Sequence, residues 1–332
     1  MRELSIEAAL GLSVLFVLAF GNGANDAGKS IVSLMMDPQT AGFRPTYRAL
    51  MWGGIFTGLG SLSAILISGR LFAVFTPQTL LRTTPGFSFV LAALVGAAAW
   101  VMAATAIRIP VSTTHAIVGA IVFQAGYLFG VSSLEWNFLV WRIFLPLAVG
   151  PFAGLVAAYL LHRLSRRRQT QEVESSRKVG AADWGASAAV AYGRGVNDAP
   201  KMAALGAFFL LGTPQDAIWL PYIIVGIAFV MGSLVWGDRV AKTLVGRTGH
   251  FDRGRRLKAN TATAALVSAG AFFGDPFSTT QVSDGAAAGA GKKESHILKS
   301  SLKGMALAWL VTLPAAGLLA VGAFYFGARL WG

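Results

Sequence analysis

An aspartate and a lysine stand three residues apart inside an apolar run in "GNGANDAGKS", residues 21–30, and again in "GRGVNDAPKM", residues 193–202. Each stretch joins an asparagine to the acid, as Asn25-Asp26 and Asn197-Asp198, with Lys29 or Lys201 close behind. Carboxylates at membrane depth are costly enough to mark function, and their chemistry there is cation ligation or proton carriage. Lys29 and Lys201, at i+3, either neutralise those carboxylates or contact an anion; spacing leaves both open. A second pair of stretches, "IPVSTTHAIVGA" at 109–120 and "DPFSTTQVSDGA" at 275–286, is rich in hydrogen-bond donors. Pro110 and Pro276 suit a helix start, and Ser112 and Ser278 suit its cap. Free amides there, with the hydroxyls of Ser112, Thr113, Thr114, Ser278, Thr279 and Thr280, would cradle a tetrahedral oxyanion. Such a cradle holds by hydrogen bonds and dipoles, so the anion can leave again.

Each motif alone has a plainer use. A Ser/Thr cluster in a membrane helix is commonly interhelical glue, and an N-D pair can be an ordinary cap. Recurrence of both motifs, in the same order, is harder to explain as packing. Arg108 suits an interfacial anchor. His115 suits polar packing, because its counterpart Gln281 cannot titrate. Asp275 and Asp284 have no acidic counterparts in the first half, so a role for either would break the symmetry.

The elements carrying these residues follow from composition. Hydrophobic residues make up 55% of the chain and charged ones 13%, about half the charged share of a soluble protein. Apolar stretches of bilayer length recur, which predicts an all-α polytopic membrane protein rather than a barrel of short alternating strands. The chain has no cysteine, so disulfides and thiolate metal sites are excluded, and no resident metal or cofactor is expected. Arg2 before an apolar run imitates a signal peptide, but the partner of residues 21–30 later in the chain argues that they belong to the mature fold. The net charge of +13 is concentrated at 163–178, 239–258 and 292–303. Cytoplasmic loops next to membrane helices explain that clustering, and nothing points to nucleic acid.

Asn197-Asp198 follows Asn25-Asp26 by 172 positions, and Pro276 follows Pro110 by 166. The chain is an internal duplication, with a first transmembrane repeat at 1–161, a cytoplasmic linker at 162–182 and a second repeat at 183–332. Five apolar segments precede the linker (4–36, 48–69, 85–107, 111–134, 138–161) and five follow (184–211, 216–237, 259–274, 277–291, 303–328). An odd count per half inverts the repeats, as in many secondary transporters, and puts both termini outside. That orientation keeps Arg44 and Arg48 inside but leaves Arg70 and Arg82 outside. The stretches 85–134 and 259–291 can be re-entrant hairpins without changing the parity. Gly21, Asn22 and Gly23 are expected to break the first helix, and Gly193 and Gly195 its counterpart. Broken helices at that depth must line a cavity or meet protein.

With these residues in view, the chain resembles the PiT family of inorganic phosphate transporters. The resemblance rests on "GANDAGKS" and "GVNDAPK", and on "PVSTTHAIVGA" and "PFSTTQVSDGA", and spans both halves. It implies an inverted-repeat symporter of the plasma membrane, commonly homodimeric, carrying phosphate with sodium, with protons or as a metal–phosphate complex. It assigns Asn25, Asp26, Asn197 and Asp198 to the coupling cation and the two S-T-T groups to phosphate. Four positions depart from the family pattern. Lys29 and Lys201 stand where many members have Asn, Thr57 where many have Glu, and Gln281 replaces a second His. Fixed ammonium charges in place of cation ligands favour proton coupling or a metal–phosphate substrate over sodium.

Two rivals remain open on sequence. A sulfate permease of the same fold would use the same cradle; a carboxylate facing the anion would favour phosphate, which still carries a proton. An intramembrane aspartyl protease would use Asp26 and Asp198 as its acid/base pair, but leaves the duplicated S-T-T groups unexplained.

Overall fold

The computed structural model describes residues 5–35, 43–166, 180–211, 218–248, 253–290 and 295–331. Six helices in it are long and apolar enough to cross a bilayer, so the chain is a multi-pass membrane protein. Among the described residues, the only strand-like pairing is an isolated bridge between Leu81 and Leu134. Residues 167–179 of the expected linker, and parts of the basic stretches at 239–258 and 292–303, lie outside the described residues.

The first repeat consists of α1 (Ile6–Ile31), α2 (Phe43–Ile67), two short helices α3 (Gly69–Val74) and α4 (Pro77–Leu80), α5 (Phe87–Ala106) and α6 (Thr113–Phe129). It closes with a long helix entered through α7 (Trp136–Phe138) and a π-helical turn at Leu139–Phe144, and continued as α8 (Leu145–Arg166). The second repeat runs α9 (Ala181–Phe208), α10 (Trp219–Thr248), α11 (Arg253–Phe273) and α12 (Thr279–Gly289). Its closing helix is α13 (Ser295–Leu307), a π turn at Ala308–Thr312 and α14 (Leu313–Trp331). The two π turns occupy matching places in their repeats, so the widened turn is part of the duplicated plan. The motif offset falls from 172 to 166 because the first repeat is six residues longer between its motifs, where it carries α3 and α4.

The repeats interlock by exchange. α1 packs on α10 as α9 packs on α2; α5 and α6 lie on α14 as α11 and α12 lie on α8. Glycines set the first of these approaches. A Cβ at Gly23 would collide with the Phe229 backbone, and one at Gly195 with the Thr57 carbonyl. Both pairs are related by the offset of 172. Small residues let membrane helices approach closely where no hydrophobic force draws them together.

The expected breaks at 21–23 and 193–195 are not present: α1 and α9 are unbroken through both N-D motifs. The glycines there serve helix contact instead. The interruptions fall at the other motif, where residues 107–112 separate α5 from α6 and 274–278 separate α11 from α12. Each pair is a helical hairpin, and α12, at 11 residues or about 16 Å, is too short to span a bilayer. α9 is absent from the six apolar spans because it carries Asp183, Arg194, Asn197, Asp198 and Lys201 on buried positions. It is enclosed by α1, α2, α10 and α11.

Candidate functional site

Each hairpin tip is built by one local device. Ser112 caps α6 by accepting from the His115 amide at 3.3 Å, and Ser278 caps α12 by accepting from the Gln281 amide at 3.4 Å. The amides at the start of both helices have no acceptor within the helix, which leaves donors at each tip. The chain reverses just before each tip through a residue with positive φ: Arg108 (64°) in one and Gly274 (86°) in the other, 166 positions apart. Arg108 is therefore a turn residue as well as an exposed one, and its carbonyl accepts from Thr243 of α10 at 3.2 Å.

The asparagines of the N-D motifs clamp these tips. Asn25 donates to the Ile109 carbonyl and the Thr105 hydroxyl, and accepts from the Val111 amide, all at 2.9 Å. Asn197 donates to the Phe277 carbonyl at 3.0 Å, to Asp198 at 2.8 Å and to the Thr279 hydroxyl at 3.5 Å. The lysines then cross between repeats. Lys29 donates to its own Asp26 and to Thr280 of the opposite tip, with the Val111 carbonyl at 3.3 Å. Lys201 donates to Asp198 at 3.2 Å, to Thr114 of the opposite tip at 2.9 Å and to the Phe277 carbonyl at 2.9 Å. Both ion pairs are almost fully buried.

The tips touch. The Ser278 hydroxyl donates to the Ser112 hydroxyl at 2.8 Å, and Thr280 donates to the Val111 carbonyl at 3.0 Å. All twelve predicted residues therefore lie in one buried polar cluster. Of the two roles left open by spacing, each lysine is paired to its carboxylate, and each also donates to a threonine of the opposite tip. Of the remaining residues, His115 borders the cluster through Nδ1, 2.8 Å from the Ser112 hydroxyl, whereas Asp275 and Thr57 make their bonds elsewhere. Asp275 faces Arg142 at 4.0 Å on an exposed edge, and Thr57 bonds the Gly53 carbonyl of its own helix at 2.7 Å. His115 packs edge-on to Trp309, with ring centroids 5.0 Å apart.

Several buried polar atoms in this cluster have no partner: Asn22 Oδ1, Asn197 Oδ1, the guanidinium nitrogens of Arg194, His115 Nε2 and both amide atoms of Gln281. Buried polar groups left without partners are costly, so these atoms are candidates to bind a ligand. They include both donors and acceptors, which suits an anion that carries a proton.

The chain matches the phosphate transporter family over residues 22–182 and again over residues 168–320, and each match contains one N-D and one P-x-S-T-T stretch. It belongs to the phosphate transporter family. A family relative from Mycobacterium tuberculosis, named "Probable low-affinity inorganic phosphate transporter", is 29% identical over 93% of this chain and 74% of its own length. One of the same name from Rhizobium meliloti is 28% identical over 96% of both chains. A solved structure titled "The sodium-dependent phosphate transporter" superposes with a TM-score of 0.82 over 99% of this chain and 100% of that one, at 18% identity, a likeness of fold.

Two buried polar residues on α1 and α9 were not among the sequence candidates. Asn22, expected only to break a helix, donates to Thr113 at 2.9 Å and to Asp198 at 3.4 Å. Arg194 was passed over altogether. The signal was available: Arg194 stands 172 positions after Asn22, so the duplication pairs the two.

Proposed function

We propose that this protein carries inorganic phosphate across the plasma membrane by alternating access, with uptake driven by a coupling cation. The observation that carries this is the meeting of two capped helix N-termini, Ser112 against Ser278, flanked by ammonium groups from opposite repeats. Amides and hydroxyls at helix starts bind phosphate well and release it again. In this scheme Thr113, Thr114, Thr279 and Thr280, with Ser112 and Ser278, form the anion cradle. Asp26 and Asp198 couple the cation, with Asn25 and Asn197 holding the tips beside them.

The ion pairs suggest how coupling works. A proton arriving at Asp26 or Asp198 would cancel the carboxylate charge and leave its lysine positive, already in contact with the opposite cradle. The ammonium would then be free to balance phosphate. Sodium has less to bind, because a lysine already engages each carboxylate. A metal–phosphate complex remains compatible with the same logic. The repeats are assigned to 1–161 and 183–332 around a cytoplasmic linker at 162–182, with both termini outside and a homodimer as the unit.

Sulfate is the second reading, favoured because both carboxylates are ion-paired rather than turned to the anion. Asn22 Oδ1 and Asn197 Oδ1 offset this: they are buried acceptors without partners, fit to receive the proton that hydrogen phosphate donates and sulfate lacks. An acid/base protease would need carboxylates sharing a proton, whereas each of these has its own ammonium. Uptake of labelled phosphate into proteoliposomes, with sodium and proton gradients imposed separately, tests the scheme. Uptake driven by an inward proton gradient without sodium, and competed by arsenate before sulfate, is expected. Strict sodium dependence would overturn the coupling, and preference for sulfate would overturn the substrate.

A further inference from the structure

Arg194 lies on α9 one turn before Asp198, so Arg194, Asp198 and Lys201 form a stripe at i, i+4 and i+7, matched in α1 by Asn22, Asp26 and Lys29. Its side chain is 1% exposed, yet Nε, Nη1 and Nη2 all lack a hydrogen-bond partner. A buried guanidinium without a partner is rare, because arginine is almost never fully buried unless paired. Its guanidinium carbon sits 5.7 Å over the ring of Phe229, which lies against Gly23 of α1. Arg194 lies one turn from Asp198 on the same helix and donates to neither Asp198 nor Asp26. Its counterpart Asn22 reaches both Thr113 and Asp198, so the matching position of α1 lies within the cluster.

The charge balance is uneven. Lys29 matches Asp26 and Lys201 matches Asp198. With all five groups ionised, Arg194 leaves one positive charge in excess. A forked guanidinium with every donor unused fits two oxygens of a tetrahedral oxyanion, as a point-charge ammonium does not. Resting on the oxyanion-carrier function above, we propose that Arg194 is the anion anchor of the pocket, its fork holding two oxygens of the substrate and its fixed charge standing in for a metal cation beside the bound anion.

The test is binding of radiolabelled phosphate to the purified full-length protein in sodium-free buffer with divalent metals chelated, for wild type, Arg194→Gln and Arg194→Lys. Wild type binds under these conditions. Arg194→Gln weakens binding by about tenfold or more, since hydrogen bonds to a charged group are at stake. Arg194→Lys, which keeps the charge and loses the fork, falls between. Without phosphate, Arg194→Gln unfolds at the wild-type temperature or above it, because it removes an unpaired buried charge. A purely structural counter-charge would give the reverse pattern, with lower unfolding temperature and unchanged affinity, and would overturn the assignment. So would wild-type binding that appears only on adding sodium, a readout that needs no variant. Arginine-dependent binding of labelled sulfate in place of phosphate supports the anchor while refuting the phosphate reading. A wild type that binds neither anion refutes both.

Discussion

Lys201 donates to an acid in its own repeat and to a threonine in the other, and Lys29 does the same in reverse. Such a residue is at once a counter-ion and a bridge, and the two roles separate by mutation. Lys201→Met leaves Asp198 buried and unpaired, which costs about 3–5 kcal/mol of stability. Asp198→Asn together with Lys201→Met removes both charges, so thermal unfolding in detergent returns toward wild type. Uptake against a gradient stays absent in the double variant, because the coupling carboxylate is gone. Recovery of uptake along with stability would reduce the pair to a structural role. The twelve candidate residues were legible because the duplication acts as a filter: a polar residue that recurs at a fixed offset is hard to explain as packing. Arg194 escaped the same filter because its partner is an asparagine, and identity rather than position was compared. What sequence could not supply was the crossing of the lysines, which depends on how the repeats interlock.

α9 holds a buried polar stripe on one face and has to be packed by its neighbours with little help from lipid. Gly195 is where the neighbour comes closest, with backbone of α2 at Thr57, Gly60 and Ser61 on the spot a Cβ would fill. Gly195→Ala therefore overpacks the α9–α2 contact and lowers stability by about 1–3 kcal/mol, read as a lower unfolding temperature. Gly185→Ala in the same helix is the control, since nothing lies within 4 Å of its added methyl. It should be neutral or gain about 0.5–1 kcal/mol from the reduced freedom of the unfolded chain. Equal loss in both would mean that α9 and α2 are not in register. The same contact explains why the expected helix breaks are missing. Glycine in an apolar run signals either a bend or a close approach, and composition alone does not distinguish them. The true breaks contain Pro110 and Pro276, which lie two residues before the caps rather than at the helix starts expected of them, whereas Ser112 and Ser278 are the caps.

At the scale of the whole molecule, two hairpins from inverted halves bring their tips together, and every major packing contact has a counterpart in the other repeat. Parity of spans and the offsets between motifs were enough to anticipate that plan, since both depend on counting. The side from which each tip approaches, and their direct contact, depend on three-dimensional exchange between repeats and were not legible. The central claim is that contact, and the absence of native cysteine makes it directly measurable. Ser112→Cys with Ser278→Cys, oxidised in the membrane, should form a disulfide within one chain, stop phosphate uptake, and recover uptake on reduction. Two thiols that label readily and never join would contradict the account, because the tips would not share one site.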